Sequence, residues 1–299
     1  MLCLILLGMS SPLFAKVVYV SPQGDDLRDG LSWATAKRTV TAALQTALPG
    51  DQIWVRYGVY QERITLKNGV ALYGGFRGTE SSLAQRPAFP RPQPDPYETV
   101  LDGGQGGSVV TSPTTANRAY RLDGFTIRNG KAEYGGGLYL TSSANLLTLA
   151  NCTISGNSAR YGGGLFCYNS SPTLSGCTLS GNSARDEGGG VYCASSSPTL
   201  SGCTLSGNYS ASNGGGVSCY DNSSPTLSGC TLSGNSASNS GGGVYCASSS
   251  PTLSGCTLSG NNSAYDGGGV SCWYNSSPTL SGCTLSGNNS AYYGGGVSC

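Results

Sequence analysis

The sequence predicts an all-β protein, a right-handed parallel β-helix wound as a solenoid, with an N-terminal cap that contains one short helix. Three observations carry this. Gly-Gly-Gly triplets begin at residues 135, 162, 188, 214, 241, 267 and 294, at spacings of 27, 26, 26, 27, 26 and 27. Two cysteine series run at the same period: Cys152, Cys177, Cys203, Cys230, Cys256, Cys283 and Cys167, Cys193, Cys219, Cys246, Cys272, Cys299. Short alternating apolar runs surround both series, with hardly a charge among them. A fixed period of roughly 20–50 residues marks a solenoid, because one turn cannot bury its apolar side alone and stacked turns can.

Composition supports the division of the chain. Glycine numbers 47 of 299 residues, more than twice its usual share of about 7%. Charged residues are 10%, against a usual ~25%. Abundant glycine and serine would ordinarily favour disorder, but the net charge is only +1 and the apolar residues keep a fixed register. After Gly135 the only charged residues are Arg160, Arg185, Asp186, Glu187, Asp221 and Asp266, and the last lysine is Lys131. We therefore divide the chain into residues 1–15, a cap with first irregular coils over 16–134, and regular repeats over 135–299. There is no basic run to neutralise phosphates, so no nucleic-acid partner is expected.

Residues 1–15, "MLCLILLGMSSPLFA", read as a secretory signal peptide cleaved after Ala15. The stretch is too short for a membrane span. It lacks the usual basic residues at its start, which leaves a true start further upstream, or a buried first strand, as alternatives. Val17 to Val20 reads as a strand. Thr39 to Leu48 places Val40, Ala43, Leu44 and Ala47 on one helical face. Pro49-Gly50-Asp51 ends that helix, and "QIWVRYGVY" then reads as one strand. A short amphipathic helix between strands suits the open end of a solenoid core, which must be covered.

Within a repeat, alternation sets the facing. In "SGCTLSGN" Cys203 and Leu205 point inward, Thr204 and Ser206 outward; in "GGGVYC" Val191 and Cys193 point inward and Tyr192 outward. Leu200, after Pro198, also points in. Like residues then stack on like, about 4.8 Å apart. Asn157, Asn182, Asn208, Asn235, Asn261 and Asn288 hold equivalent places and predict an amide ladder at a bend. The triple glycines mark places of positive φ, or places with no room for a side chain. No Lys-Ser/Thr follows them, which argues against a phosphate cradle. The one-residue changes of period all fall between the second cysteine and "SPTL", as expected of a loop. "LSGCTLSGN" also fits a leucine-rich-repeat line, but "GGGVYCASSSP" disfavours the helical return that fold uses.

The segments "YVSPQGDDLRDGLSWATA", "PGDQIWV", "NGVALYGGF" and "TVLDGG" resemble the N-terminal cap of secreted bacterial right-handed β-helix proteins. Together with "CTISGNSARYGGGLF", the repeats are similar to those of polymorphic outer-membrane autotransporter passengers. "GGGV" and "GGGL" match the Gly-Gly-aliphatic tetrapeptide of that group; "LSGN" and "ISGN" replace its Phe-x-x-Asn. The resemblance covers nearly all of the mature chain. It implies a secreted or cell-surface protein, bacterial outer-membrane or extracellular, adhesin-like, commonly followed by a translocator barrel or anchor. The chain stops midway through a repeat at Cys299, as expected of a fragment.

Chemistry is sparse in this reading. A β-helix lyase needs a Lys or Arg base, usually beside acidic Ca²⁺ ligands, and a hydrolase needs paired carboxylates. The repeats offer no such cluster, since Asp186-Glu187, Asp221 and Asp266 lie in separate turns. There is no histidine. No catalytic, cofactor-binding or metal-ligating residue is assigned, and no cofactor is expected. Asp25, Asp26 and Asp29 have oxygen-ligand spacing, but turn capping accounts for them better than Ca²⁺ does. The twelve mature cysteines read as stacked core fillers; neighbours in a ladder have parallel Cβ vectors, a poor geometry for disulfides. Outward columns of Thr and Ser (Thr153/Ser155, Thr178/Ser180, Thr204/Ser206, Thr231/Ser233, Thr257/Ser259, Thr284/Ser286) form a hydroxyl grid. Tyr192, Tyr220, Tyr245, Trp273 and Tyr274 are expected at the surface, suited to sugar stacking. The expected role is a non-catalytic structural or adhesin-like surface protein, with carbohydrate or a neighbouring cell surface as partner. The alternatives are a polysaccharide lyase or hydrolase of the same fold, or an ice-binding solenoid that uses the grid.

Overall fold

A computed structural model describes residues 15–299. The expected signal peptide, apart from Ala15, lies outside the described residues. The chain winds as a parallel β-helix. Each coil of the repeat region adds one strand to each of four parallel sheets. In one coil Thr199–Ser201 joins sheet 1, Thr204–Ser206 sheet 2, Tyr209–Ser210 sheet 3 and Val217–Tyr220 sheet 4. The four sheets contain 10, 9, 7 and 9 strands among the described residues. Two of these stations, "PTLS" and the short "NSA" segment, are separate strands that alternation around the cysteines did not resolve. "GGGVYC" forms a sheet strand, not a helical crossover, so the leucine-rich-repeat alternative falls.

Register is strict. Leu174 pairs with Leu200, Leu200 with Leu227, and Leu227 with Leu253 in sheet 1; Leu179, Leu205, Leu232 and Leu258 do the same in sheet 2. Cys167, Cys193 and Cys219 align in sheet 4. All of these are essentially inaccessible to solvent, and each leucine contributes about 1.5–3 kcal/mol by burial. Cys203, Leu205, Val191, Cys193 and Leu200 therefore face inward as their spacing required. Cys272 and Cys299 depart from expectation. They are vertical neighbours, joined by a disulfide with a Cα–Cα distance of 4.5 Å, which lies within disulfide range. The other ten described cysteines are free, and nine of them are buried.

The asparagine ladder is present and fully buried at its centre. Asn208 Nδ2 donates to Leu179 O and to Asn235 Oδ1, both at 2.9 Å, and Asn235 Oδ1 also accepts from the Asn208 backbone N–H at 3.0 Å. Each amide thus satisfies a carbonyl and an N–H of the preceding coil and donates to the amide oxygen of the next, so that these buried polar groups are paired. A parallel serine ladder runs through Ser170, Ser196 and Ser223; the Ser196 and Ser223 hydroxyls accept from the backbone N–H of Ser170 and Ser196, each at 2.9 Å. The triple glycine divides its work. Gly188 has φ +69, whereas at Gly190 a Cβ would lie 2.5 Å from Gly216 O. Both anticipated reasons operate, at different members of one triplet.

At the N-terminal end, helix α1 (Val40–Thr46) buries Val40, Ala43 and Leu44. It is three residues shorter than the predicted span, although Ala47 is still buried. Thr39 caps it by accepting from Ala42 N at 3.1 Å. The Glu62 carboxylate accepts from Val40 N and Thr41 N, both at 2.9 Å, where a helix N-terminus favours negative charge. The predicted single strand 52–60 is two strands, Gln52–Arg56 in sheet 1 and Gly58–Tyr60 in sheet 2. Gly58, at φ +142, makes the corner between them. Sheets 1 and 2 continue unbroken from this cap into the repeats, for example through Leu122 with Leu149 and Ile127 with Ile154.

Candidate functional site

Between the sheet 1 strand Ala71–Phe76 and the sheet 2 strand Thr99–Asp102, the chain leaves the solenoid for residues 77–98. Prolines 87, 90, 92, 94 and 96 punctuate this excursion; lacking an N–H, they cannot extend a ladder. Its base is tied by Glu80, whose carboxylate accepts from the backbone N–H groups of Arg77, Gly78 and Thr79 at 2.7, 2.9 and 3.0 Å. Burial alone would raise the Glu80 carboxyl; these bonds hold it below its ordinary value.

Two arginines fasten the excursion to the coils. Arg86 donates to Asp123 Oδ1 at 2.8 Å, and Arg121 reaches Asp123 Oδ2 at 2.6 Å. Burial pushes the Asp123 carboxyl up, but Arg86, Asn151 and Arg121 outweigh it and lower it. The Arg91 side chain is 4% exposed and pairs with Asp95 at 3.1 Å. It also donates to the carbonyls of Gly75, Pro87 and Tyr97, each at 3.1 Å, and lies 3.8 Å above the Phe89 ring.

The excursion overhangs the notch between sheets 1 and 2 and forms a groove of about 500 Å³. Its wall comprises Phe89, Pro90, Gln93, Asp95 and Glu98, and its floor repeats from coil to coil. Gly124, Asn151, Gly176 and Gly202 turn the corner with φ of 77°, 50°, 58° and 58°, and Thr126, Thr153, Thr178 and Thr204 follow them. The steps are about 4.8 Å apart, so the floor is a flight of near-identical polar steps along the solenoid axis. Glu98 is exposed and accepts from Thr126 Oγ1 at 2.7 Å.

The Thr/Ser grid from Thr153/Ser155 to Thr284/Ser286 lies in sheet 2, with its Thr column partly inside this notch. A second Thr-x-Ser grid on sheet 1, from Thr173/Ser175 to Thr279/Ser281, is the more exposed of the two. The sequence reading followed Leu200 inward and left its outward neighbours aside.

The expected surface aromatics are only partly at the surface. Phe166 stacks on Tyr192 at 5.3 Å, Tyr192 meets Tyr220 at 5.7 Å, and Tyr220 meets Tyr245 at 5.6 Å. The vertical repeat brings these rings into one column that covers itself; Tyr192 and Tyr220 are half-buried, and Tyr245 is buried. Trp273 and Tyr274 remain exposed. Among the repeat charges, Arg160 pairs with Asp186 at 2.5 Å. Glu187 is half-buried, while Asp221 and Asp266 stay apart in other coils.

In the loop at 25–30 every aspartate caps backbone. Asp25 and Asp29 each accept from the residue two positions on at 3.0 Å, and Asp26 Oδ1 accepts from Arg38 N and Thr39 N at 2.8 and 2.9 Å. The buried Lys37 ammonium donates to the carbonyls of Asp26 and Arg28 at 3.1 and 2.7 Å, so the cation held in this loop is a lysine. No cluster of metal-ligating side chains occurs among the described residues.

The groove residues escaped the sequence reading. The only available signal was the proline-rich segment 87–96, which marks a stiff excursion but not where it lands.

Fold and groove together define a right-handed parallel β-helix, and residues 189–298 match the family model described as a right handed beta helix region. The chain belongs to the family described as "Protein of unknown function (DUF1565)", matched over residues 23–218. No curated protein matches the sequence. Among solved structures the chain is similar to pectate lyase Pel9A, with a TM-score of 0.60 and 12% identity over 93% of this chain and 78% of that one. It also matches pectin methylesterase PemA from Erwinia chrysanthemi, with a TM-score of 0.47 and 13% identity over 88% of this chain and 82% of that one. At 12% identity the likeness to Pel9A is one of fold.

Proposed function

We propose that this chain is an extracellular or cell-surface, non-catalytic β-helix that holds a polysaccharide strand lengthwise in the groove beside the 77–98 excursion. One observation carries the proposal: the floor presents the same corner-plus-threonine step on successive coils, from Gly124 to Thr204, beneath a wall that offers Phe89 and Glu98. A ligand that repeats along its length matches a floor that repeats along its length. A concave surface with a few convergent polar groups is the usual form of a ligand site. An N-terminus that reads as a signal peptide, and the resemblance of the repeats to autotransporter passengers, support the extracellular assignment.

A hydrolase reading draws on Asp95 and Glu98, two carboxylates in one groove. Asp95 is already engaged by Arg91 at 3.1 Å and by Tyr97 N at 2.8 Å. That leaves Glu98 alone, and glycoside hydrolysis by side-chain carboxylates needs two. The test is affinity electrophoresis of the full chain in gels containing soluble polysaccharides, beside assays for new reducing ends and unsaturated products. Retention by at least one polysaccharide is expected, lost on Thr178→Trp, which fills the floor, with no product released. Product release that disappears in Glu98→Gln would replace this proposal with the enzyme reading.

A further inference from the structure

We infer that the groove selects uncharged polysaccharide strands and rejects polyuronates, and that Glu98 sets the choice; the inference rests on the glycan-binding proposal. The charged side chains lining the groove are Arg91, Asp95 and Glu98. The Arg91 guanidinium is spent within the protein, on Asp95 and the carbonyls of Gly75, Pro87 and Tyr97. Outside that lining, Arg86 and Arg121 are both bound to Asp123, Arg128 is paired with Asp102, and Arg77 lies over the Tyr97 ring.

Glu98 differs from all of these. It is exposed, and it forms no ion pair among the described residues. One carboxylate oxygen accepts from Thr126 Oγ1, and the other is free to accept from a ligand. The groove therefore presents one uncompensated negative charge above a neutral floor of Thr, Gly and Asn.

A neutral sugar offers hydroxyls that donate to Glu98 and exchange hydrogen bonds with the threonines. A uronate places a second carboxylate beside the first. In water, two like charges about 4 Å apart repel by about 1 kcal/mol, about fivefold in affinity per contact, and salt screens the effect. The mostly exposed cations Lys131 and Arg185 lie on sheet 3, outside the groove.

The experiment compares wild type, Glu98→Gln and Glu98→Lys in gels containing soluble β-glucan, xylan, galactan or polygalacturonate, at low and at physiological salt. Far-UV circular dichroism checks that each variant folds. Wild type should be retained by a neutral polysaccharide and not by polygalacturonate. Glu98→Lys should gain polygalacturonate retention, about fivefold or more, and the gain should shrink with salt. If polygalacturonate retains wild type as strongly as any neutral polymer and Glu98→Lys changes nothing, charge selection is wrong and glycan binding stands. If no polysaccharide retains wild type, both fail.

Discussion

At Glu187 the repeat places a carboxylate where later coils have Asn213, Ser240 and Asp266 before the triple glycine. Its oxygens accept from Ser212 Oγ at 3.2 Å, Asn213 Nδ2 at 3.0 Å and Ser218 Oγ at 3.0 Å, and no ion pair reaches it among the described residues. Burial raises its carboxyl above the ordinary value, and the hydrogen bonds only partly offset that. The folded state thus holds this proton more tightly than the unfolded chain. The stabilisation from the protonated form is complete below the ordinary carboxyl value and is lost as pH rises through the raised one. Asp102 and Asp123 work in the opposite sense. Burial raises each, but the bonds to Gly104, Asn129 and Arg128 at Asp102, and to Arg86 at Asp123, leave both lowered. Their contribution is present above the ordinary value and is lost as pH falls through the lowered one. Comparing Glu187→Gln with wild type cancels these background groups. The two melting temperatures should coincide near pH 4 and separate in favour of the variant near pH 8. A difference independent of pH in thermal melts would mean that Glu187 is not held in a raised state.

At the scale of the element, the corner and the triplet show why two glycines of one coil are not equivalent. Gly207 sits at φ +59 with open space around its missing Cβ, whereas a Cβ on Gly189 would run into the backbone carbonyls of Tyr209 and Gly215. Gly207→Ala bears only the left-handed backbone cost, about 1–2 kcal/mol. Gly189→Ala must push two coils apart. Urea unfolding should show Gly189→Ala destabilised by at least twice as much as Gly207→Ala; equal losses would contradict the close approach of the coils. Spacing alone located these glycines, the cysteine columns, the Asn157–Asn288 ladder and the inward leucines, because a solenoid copies its sequence period directly into a spatial one. The strands "PTLS" and "NSA" did not show, since two or three residues are too few for alternation to register. The half-burial of Tyr192 and Tyr220 and the burial of Tyr245 depend on the coil stacked above, which no single repeat reveals. The groove was hidden for a related reason: Glu98 and Phe89 come to line one groove with Thr178 and Thr204 only after the 77–98 excursion folds back, and nothing in its prolines gives that direction.

At the scale of the molecule, stability should behave as a sum over coils and the interfaces between neighbours. Thr204 pairs with Thr231, Leu205 with Leu232 and Ser206 with Ser233, so removing residues 204–230 joins Cys203 directly to a residue equivalent to the one it lost. All four sheets keep their register, each shorter by one strand. Thr231 then takes the place of Thr204 at the end of the groove floor, so polysaccharide retention should survive the excision. Removing residues 204–216 instead brings Val217 onto Cys203, deletes the sheet 2 and sheet 3 stations of one coil and leaves the Asn182 and Asn235 amides without the partner they bond through Asn208. The whole-coil excision should give the same β-type circular dichroism as wild type and unfold cooperatively at modestly lower urea, while the partial excision should fail to fold or lose most of its stability. Equal tolerance of both would mean that the coils are not held in register by like residues stacked upon like, and the groove, whose floor exists only through that stacking, would have to be rebuilt on other grounds.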